Sequence, residues 1–444
     1  MFEYVKLKNF KSFGNVEFNM LDRRNEPKKM VLIYGENGIG KSNLASAFFM
    51  LSETLRTMDV RDLMESIFAE NSNDIKNNEE FKNFFRMRYK DMETLIKENK
   101  TVDSNAPMYM EFGFRLNGKR GRYVIETDNS QIIHERLEYL LAKNRGTYFD
   151  IVPEKITISE KIFSDKTSYQ TIKNSCEKFW GKHTLIAILM HESEDKSDQY
   201  IKKQIMKNFG FVLEFFSRIS CKIKFGSRQE RGIIGLPHEI LKEYENGEID
   251  RRDELLLDKS ENMLNAFFKL TYRDIQKAYY KRTNKGDNIH YQLMLIKNIA
   301  GVPREIEFSL ESTGTQSLIQ QLPFMLVVVE GSVAVIDEFD TGIHDLLVKS
   351  LASSLYSNIE GQLILTTHNT LLMESDIPKE SIYVINELSN GDKEIECILH
   401  YNNKIGDNNN IRNQYLLGRY SGIPAETKID FHQLLSSLKE DTKQ

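Results

Sequence analysis

Residues Gly35 to Asn43 read GENGIGKSN, in which a glycine, four residues, a second glycine, a lysine and a serine follow in the order G-x-x-x-x-G-K-[ST]. Those residue types in that order suit one task, the cradling of a polyphosphate. Glycines at 35, 38 and 40 let main-chain N–H groups converge on phosphate oxygens at the positive end of the helix that follows. Lys41 then neutralises β- and γ-phosphate charge, and Ser42 presents its hydroxyl to Mg²⁺. The whole run, Gly35, Glu36, Asn37, Gly38, Ile39, Gly40, Lys41, Ser42 and Asn43, is expected to touch ATP bound with Mg²⁺. A bare glycine turn with a solvent-facing lysine would leave the same letters, and context argues against it. An apolar burst, KKMVLIY, precedes the loop, and Leu44, Ala47, Phe48, Leu51 and Leu55 recur behind it at helical spacing.

Hydrolysis needs a carboxylate for the metal and a group that activates water, and SVAVIDEFDTGIH offers both. The apolar residues Val333 to Ile336 predict a buried central strand, and Asp337 leaves it at the carboxyl end, where α/β sites lie. Asp337 is expected to hold Mg²⁺, mainly through water, and Glu338 to accept a proton from the attacking water or to orient it. Without the loop at 35–43, two adjacent acids would pass for a solvated turn. A further apolar strand, QLILTT, delivers His368 to the same sheet edge, where it would sense the γ-phosphate. Thr366 and Thr367 read as ordinary caps. Catalysis is thus assigned to Glu338, His368 and Lys41, and the metal to Ser42 and Asp337.

A second polar interruption, FSLESTGTQSLIQQL, stands just ahead of the Asp337 strand. The segment stands where the signature of an ABC-type ATPase would be, and that resemblance implies that Ser312, Gly314 and the start of the following helix face the γ-phosphate of an ATP held by another copy of the chain. One copy could not close its own site, so a homodimer or higher homo-oligomer is expected. Helix capping by Ser312 or Thr313 explains the same residues, and both can hold, because a helix N-terminus is also an anion site.

The elements that must position these groups follow from pattern. EYVKLKNF alternates as a strand; MYMEFGFRL, GRYVIET and SQIIHERLEYLL read as antiparallel strands; helical character runs from about Tyr169 to Phe268. From Asp274 onward, strands and helices alternate. The organisation expected is an α/β P-loop head in two parts, 1–165 and 273–444, with a helical insertion at 166–272. NSNDIKNNEE reads as an exposed break. The 444 residues are 40% hydrophobic and 28% charged, an ordinary globular composition. A net charge of −5 with scattered cations gives no support for direct nucleic-acid binding. Cys176, Cys221 and Cys397 lack paired spacing, which fits a reducing cytoplasm and argues against a zinc site or a disulfide framework. No apolar signal region opens the sequence and no apolar run reaches the roughly 18 residues of a membrane span, so no membrane partner is expected.

Taken together, KLKNFKSFGNVEF, YGENGIGKSNL, ESTGTQSL, VIDEFDTGIHDLL, TTHNTLLM and NQYLLGRYSGIP resemble the SMC/RecF-like branch of ABC-type ATPases. More narrowly, they are similar to stand-alone AAA-type ATP-binding proteins of prokaryotic anti-phage and abortive-infection operons, such as the ATPase subunits of PARIS, Rlo and AbiL-like systems. The resemblance covers about Met1 to Leu55 and Asp274 to Pro424. It implies an ABC-type fold, a separately encoded effector, often a Toprim-related nuclease, and a phage-derived trigger. It also implies that Lys11 and Ser12 lie near the nucleotide and that Asp340 crosses a dimer interface. From the residues alone, Lys11 and Ser12 are a strand-end turn and Asp340 a helix-proximal acid. His344 reads equally as a helix start, and YLLGRYSGIP, with Gly418, Arg419 and Pro424, as a structural turn. No glutamine is assigned firmly to the Q-loop; Gln131 is the candidate. The competing function is a RecF/SMC-like ATPase of DNA repair or maintenance acting directly on DNA, and a third is nucleotide-dependent assembly with negligible turnover.

Overall fold

The computed structural model describes residues 1–70, 89–194, 205–225, 229–235, 238–401, 410–423 and 428–440. The expected break at 71–80 and Pro424 lie outside them. β1 (Phe2–Phe10), β2 (Phe13–Asn19), β4 (Met108–Leu116), β5 (Lys119–Thr127), β6 (Ile132–Leu140), β7 (Arg145–Val152) and β8 (Lys155–Ile158) form an antiparallel sheet in the order β2-β1-β4-β5-β6-β7-β8. Its strands alternate in burial as a sheet with one covered face should.

The second sheet carries the chemistry. β3 (Met30–Tyr34), β9 (Ser220–Phe225), β10 (Gln229–Ile233), β15 (Val333–Ile336), β16 (Gln362–Thr366), β17 (Ile382–Glu387) and β18 (Lys393–Cys397) run in the order β10-β9-β15-β16-β3-β17-β18. The five inner strands are parallel, and antiparallel strands close the two edges. Burial on both faces explains the unbroken apolar runs MVLIY and VAVI. Along β3, Val31 and Ile33 enter one core while Met30, Leu32 and Tyr34 enter the other. The first core joins this sheet to the antiparallel one through α1 (Lys41–Thr54), whose Phe48 ring lies 5.1 Å from Phe2 of β1. Across the opposite face pack α8 (Thr313–Val329) and α9 (Asp345–Asn358).

The stretch 166–272, expected to be a helical insertion, is helical only in part. α4 (Lys166–Phe179), α5 (Leu185–Glu194) and α6 (Lys207–Ser217) accord with the expectation. β9 then enters the parallel sheet beside β15, with β10 on its outer side, so the segment supplies part of the P-loop core. Further on, β11 (Asn246–Asp250) joins β12 (Ile275–Lys285), β13 (Asn288–Ile299) and β14 (Val302–Glu307) in a third, antiparallel sheet. The charge-rich run after it forms α7 (Glu254–Thr271), which buries Leu257, Leu264 and Phe268 against that sheet. The reason lies in the residues: SCKIKF carries lysines at alternate positions, which hides a central strand from any search for apolar bursts.

Candidate functional site

β3 ends in the glycine loop, and α1 begins at Lys41 with neither a side-chain cap nor an acidic residue in its first turn. The N–H groups of that turn therefore have no intrahelical partner and point where a phosphate would sit. Gly35, Gly38 and Gly40 have φ of 151°, 79° and 124°, values that side chains with a Cβ rarely adopt. Lys41 is buried, and its ammonium donates to the carbonyls of Gly35 (2.8 Å) and Glu36 (2.9 Å). Burial lowers its pKa, and the nearby Asp337, Glu338 and Asp340 pull against that shift.

An open cavity of about 130 Å³ is lined by Asn37, Gly38, Gly40, Lys41, Ser42, Asn43, Glu338 and His368. It brings together the loop and the three residues assigned to catalysis from sequence. Register explains how: β15 and β16 flank one another in parallel and β16 lies on β3, so Asp337, Glu338 and His368 all emerge beside the glycine loop. Asp337 is 3% exposed, and burial raises its pKa against hydrogen bonds from Thr366, Ser42 and the Lys224 N–H. Thr366 Oγ1 donates to Asp337 Oδ1 at 2.5 Å, and the Glu338 N–H donates to that same hydroxyl at 2.8 Å. Thr366 is therefore more than the ordinary cap expected, whereas Thr367 does cap, accepting the Asn369 N–H at 3.0 Å. Ser42 and Asp337 are the residues able to hold Mg²⁺, since a hydroxyl beside a buried carboxylate forms a hard oxygen pair.

Glu338 sits at φ 51°, a left-handed conformation uncommon for a residue with a side chain. Its Oε2 bonds Lys224 Nζ at 2.5 Å and Thr341 Oγ1 at 3.0 Å. Burial pushes the carboxyl up, but Lys224, Thr341 and His368 together outweigh it and hold the group below its ordinary value. Glu338 is thus ionised at neutral pH. His368 is exposed at the cavity mouth; desolvation there and the adjacent Lys41 charge lower its imidazole pKa. The His368 main-chain N–H donates to Asp340 Oδ2 at 3.2 Å, which ties the acid after β15 to the end of β16.

Lys11 and Ser12 stand beside the start of α1. Lys11 Nζ donates to Ser46 Oγ on α1 at 2.9 Å, burial lowers its pKa to about 8, and Asn43 Nδ2 donates to Ser12 Oγ at 2.7 Å. Ser312 and Gly314 do not line this cavity. Ser312 caps α8, accepting the Thr315 N–H at 3.2 Å. A Cβ on Gly314 would stand 2.3 Å from the Gly342 carbonyl, so glycine is required by packing within one copy. His344 caps α9 through Nδ1. In the C-terminal turn, the Tyr415 hydroxyl donates to Gly422 O at 2.9 Å and its ring packs on Tyr34, the last residue of β3. Gln131 is exposed in the Asp128 turn and is absent from the cavity wall. Lys224 is the residue that sequence reasoning missed. The signal available was a lysine closing a short strand, and nothing local tied it to Glu338.

The parallel sheet, the uncapped helix behind the glycine loop and the acids on the neighbouring strand define an ABC-type P-loop ATPase fold. The family described as "AAA domain, putative AbiEii toxin, Type IV TA system" matches residues 30–374, and the chain belongs to it. No curated protein matches the chain. Among solved structures, it is similar to the SMC head domain from Thermotoga maritima at 15% identity and a TM-score of 0.37, over 89% of this chain and 98% of that one. An SmcHead bound to the C-winged helix domain of ScpA aligns at 15% identity and a TM-score of 0.41, over 89% and 96% of the two chains. The recombination mediator protein RecF aligns at 11% and 0.36, over 89% and 98%. Among the described residues, no helix is long and apolar enough to cross a membrane.

Proposed function

We propose that the chain binds Mg-ATP between two copies, hydrolyses it, and serves as the ATPase subunit of a prokaryotic anti-phage system that restrains a separately encoded, nuclease-like effector until a phage-derived signal arrives. The observation that carries the ATPase part is the single cavity in which Lys41, Ser42, Glu338 and His368 meet. Lys41 and the first turn of α1 bind the polyphosphate, Ser42 and Asp337 hold the metal, and Glu338 takes a proton from water while His368 contacts the γ-phosphate. The metal would supply charge neutralisation on the phosphates. Ser312 and Thr313, at the exposed start of α8, would complete the site of a second copy, with Asp340 close to that interface.

The defence role is supported by the family description, which couples the AAA domain to a toxin–antitoxin class. Three free, buried cysteines suit a reducing cytoplasm. The competing reading, direct action on DNA, finds little support in a net charge of −5. Phosphate release by the purified chain tests the chemistry: Glu338→Gln should bind ATP normally yet hydrolyse it about 10²-fold or more slowly. Equal rates would remove Glu338 from the mechanism. Plating of phage on cells that carry the chain with its neighbouring genes tests the role, because Lys41→Ala should abolish protection. Strong stimulation of hydrolysis by DNA would favour the repair reading instead.

A further inference from the structure

β9 contributes more than a strand to the parallel sheet. Its pairing with β15 sets Lys222 beside Ile336, the Asp337 N–H donates to Lys222 O at 2.8 Å, and the Lys224 N–H reaches Asp337 Oδ2 at 3.4 Å. That register fixes where the Lys224 side chain begins. Its ammonium closes a triangle with two groups that follow β15: 2.5 Å to Glu338 Oε2 and 3.0 Å to Thr341 Oγ1, with Thr341 Oγ1 itself 3.0 Å from Glu338 Oε2. Both contacts to the Glu338 carboxylate fall on Oε2. Among the described residues, Oε1 takes no hydrogen bond, and Glu338 lines the phosphate cavity.

We propose that Lys224 is a positioning residue for hydrolysis: with Thr341 it anchors Oε2 of Glu338, so that Oε1 is held for the proton of the attacking water. The inference rests on the ATPase reading of the site and adds a residue to it. Two observations favour a positioning role over a merely structural ion pair. Lys224 and Glu338 keep side-chain exposures of 23% and 35%, and pairs this open contribute little to stability. Meanwhile, the Glu338 backbone is held in a left-handed conformation by its N–H bond to Thr366, so both ends of the residue are fixed and a carboxylate oxygen is aimed rather than averaged.

The test uses the full-length chain with four variants, Lys224→Met, Lys224→Arg, Glu338→Gln and the Lys224→Met/Glu338→Gln pair. ATP binding is read with a fluorescent ATP analogue and turnover by phosphate release. Lys224→Met should keep its ATP Kd within about threefold while kcat falls about tenfold or more, and Lys224→Arg should recover part of the loss. Because Lys224 acts through Glu338, the double variant should hydrolyse no more slowly than Glu338→Gln alone. A normal kcat in Lys224→Met, a loss seen only in Kd, or a further drop in the double variant overturns the proposal. If the unmodified chain binds no ATP, the ATPase reading itself falls and this inference with it. Normal binding and turnover by Lys224→Met would fell this inference alone.

Discussion

Thr366 Oγ1 lies 2.5 Å from Asp337 Oδ1, and through that one hydroxyl the strand bearing His368 is tied to the strand bearing both acids. The same oxygen accepts the Glu338 N–H, so it fixes the Asp337 carboxylate and the start of Glu338 together.

Replacing Thr366 with valine keeps shape and β-branching while deleting both bonds. It leaves a buried carboxylate oxygen and a main-chain N–H without that partner, at about 1–3 kcal/mol for each group. Thr366→Val should therefore lower unfolding free energy by roughly 2–4 kcal/mol and cut kcat about tenfold or more. Thr366→Ser should retain most of both. Urea unfolding beside a phosphate-release assay decides the matter, and a fully active, fully stable valine variant would deny the tie any role.

This relationship also marks what the sequence could disclose. The glycine loop and the Asp337–Glu338 pair were legible because their chemistry is contiguous: the phosphate cradle is built from consecutive backbone, and the acids follow an apolar strand directly. His368 was legible by the same logic of a strand end. Thr366 sits in the next strand and Lys224 is separated from Glu338 by 114 residues, so their roles exist only once the sheet order is known. β9 stayed hidden because Lys222, buried and paired with Glu230 at 2.6 Å, interrupts the apolar pattern that reveals β3 and β15. Ser312 and Gly314 were found by pattern, yet their contacts within one copy are a cap and a close approach to Gly342.

That close approach governs how the proposed sharing of the site between two copies can be tested. A side chain at Gly314 would disturb the fold of each copy, but Thr313 beside it is exposed in the first turn of α8. A negative charge there suits the helix dipole and should stabilise the chain by about 0.3–1 kcal/mol. Facing the γ-phosphate of a neighbouring copy, the same charge should repel. Thr313→Glu is expected to fold at least as well as the parent and to lose ATP-dependent association in light scattering. Undiminished association would remove the start of α8 from the interface.

Glu135 offers a pH test away from the cavity. Its side chain is fully buried, with Oε1 accepting from the Tyr123 hydroxyl at 2.7 Å and Oε2 from Trp180 Nε1 and the Leu185 N–H, each at 2.8 Å. Burial pushes its pKa up to about 7 in spite of those donors. The folded state thus binds this proton more tightly than the unfolded state, whose value is about 4.3. The contribution to stability is complete below the unfolded pKa and is lost as pH rises through about 7, by about 4 kcal/mol in all. Glu135→Gln imitates the protonated form: its carbonyl can accept from Trp180 and Leu185 while its amide donates to the Tyr123 oxygen. The difference in stability between the two proteins should therefore grow in favour of glutamine from pH 5 to pH 8. Urea unfolding across that range measures it, and a constant difference would mean that Glu135 does not titrate there.

Gln362 joins the two large sheets. It is fully buried at the start of β16, where Oε1 accepts the Phe2 N–H at 2.7 Å and Nε2 donates to the carbonyls of Phe2 and Lys28 at 3.0 Å each. One amide side chain thereby satisfies three main-chain groups, two on β1 and one just ahead of β3. Gln362→Leu has nearly the right volume but serves none of them, and three buried polar groups at about 1–3 kcal/mol each put the loss at roughly 3–6 kcal/mol, allowing for relaxation. Since β3 leads directly into the glycine loop, the damage should reach ATP binding as well as stability. The expected result is a lower urea midpoint together with a raised ATP Kd. Weakened stability with an unaltered Kd would show that the loop is held in place without the β1 junction.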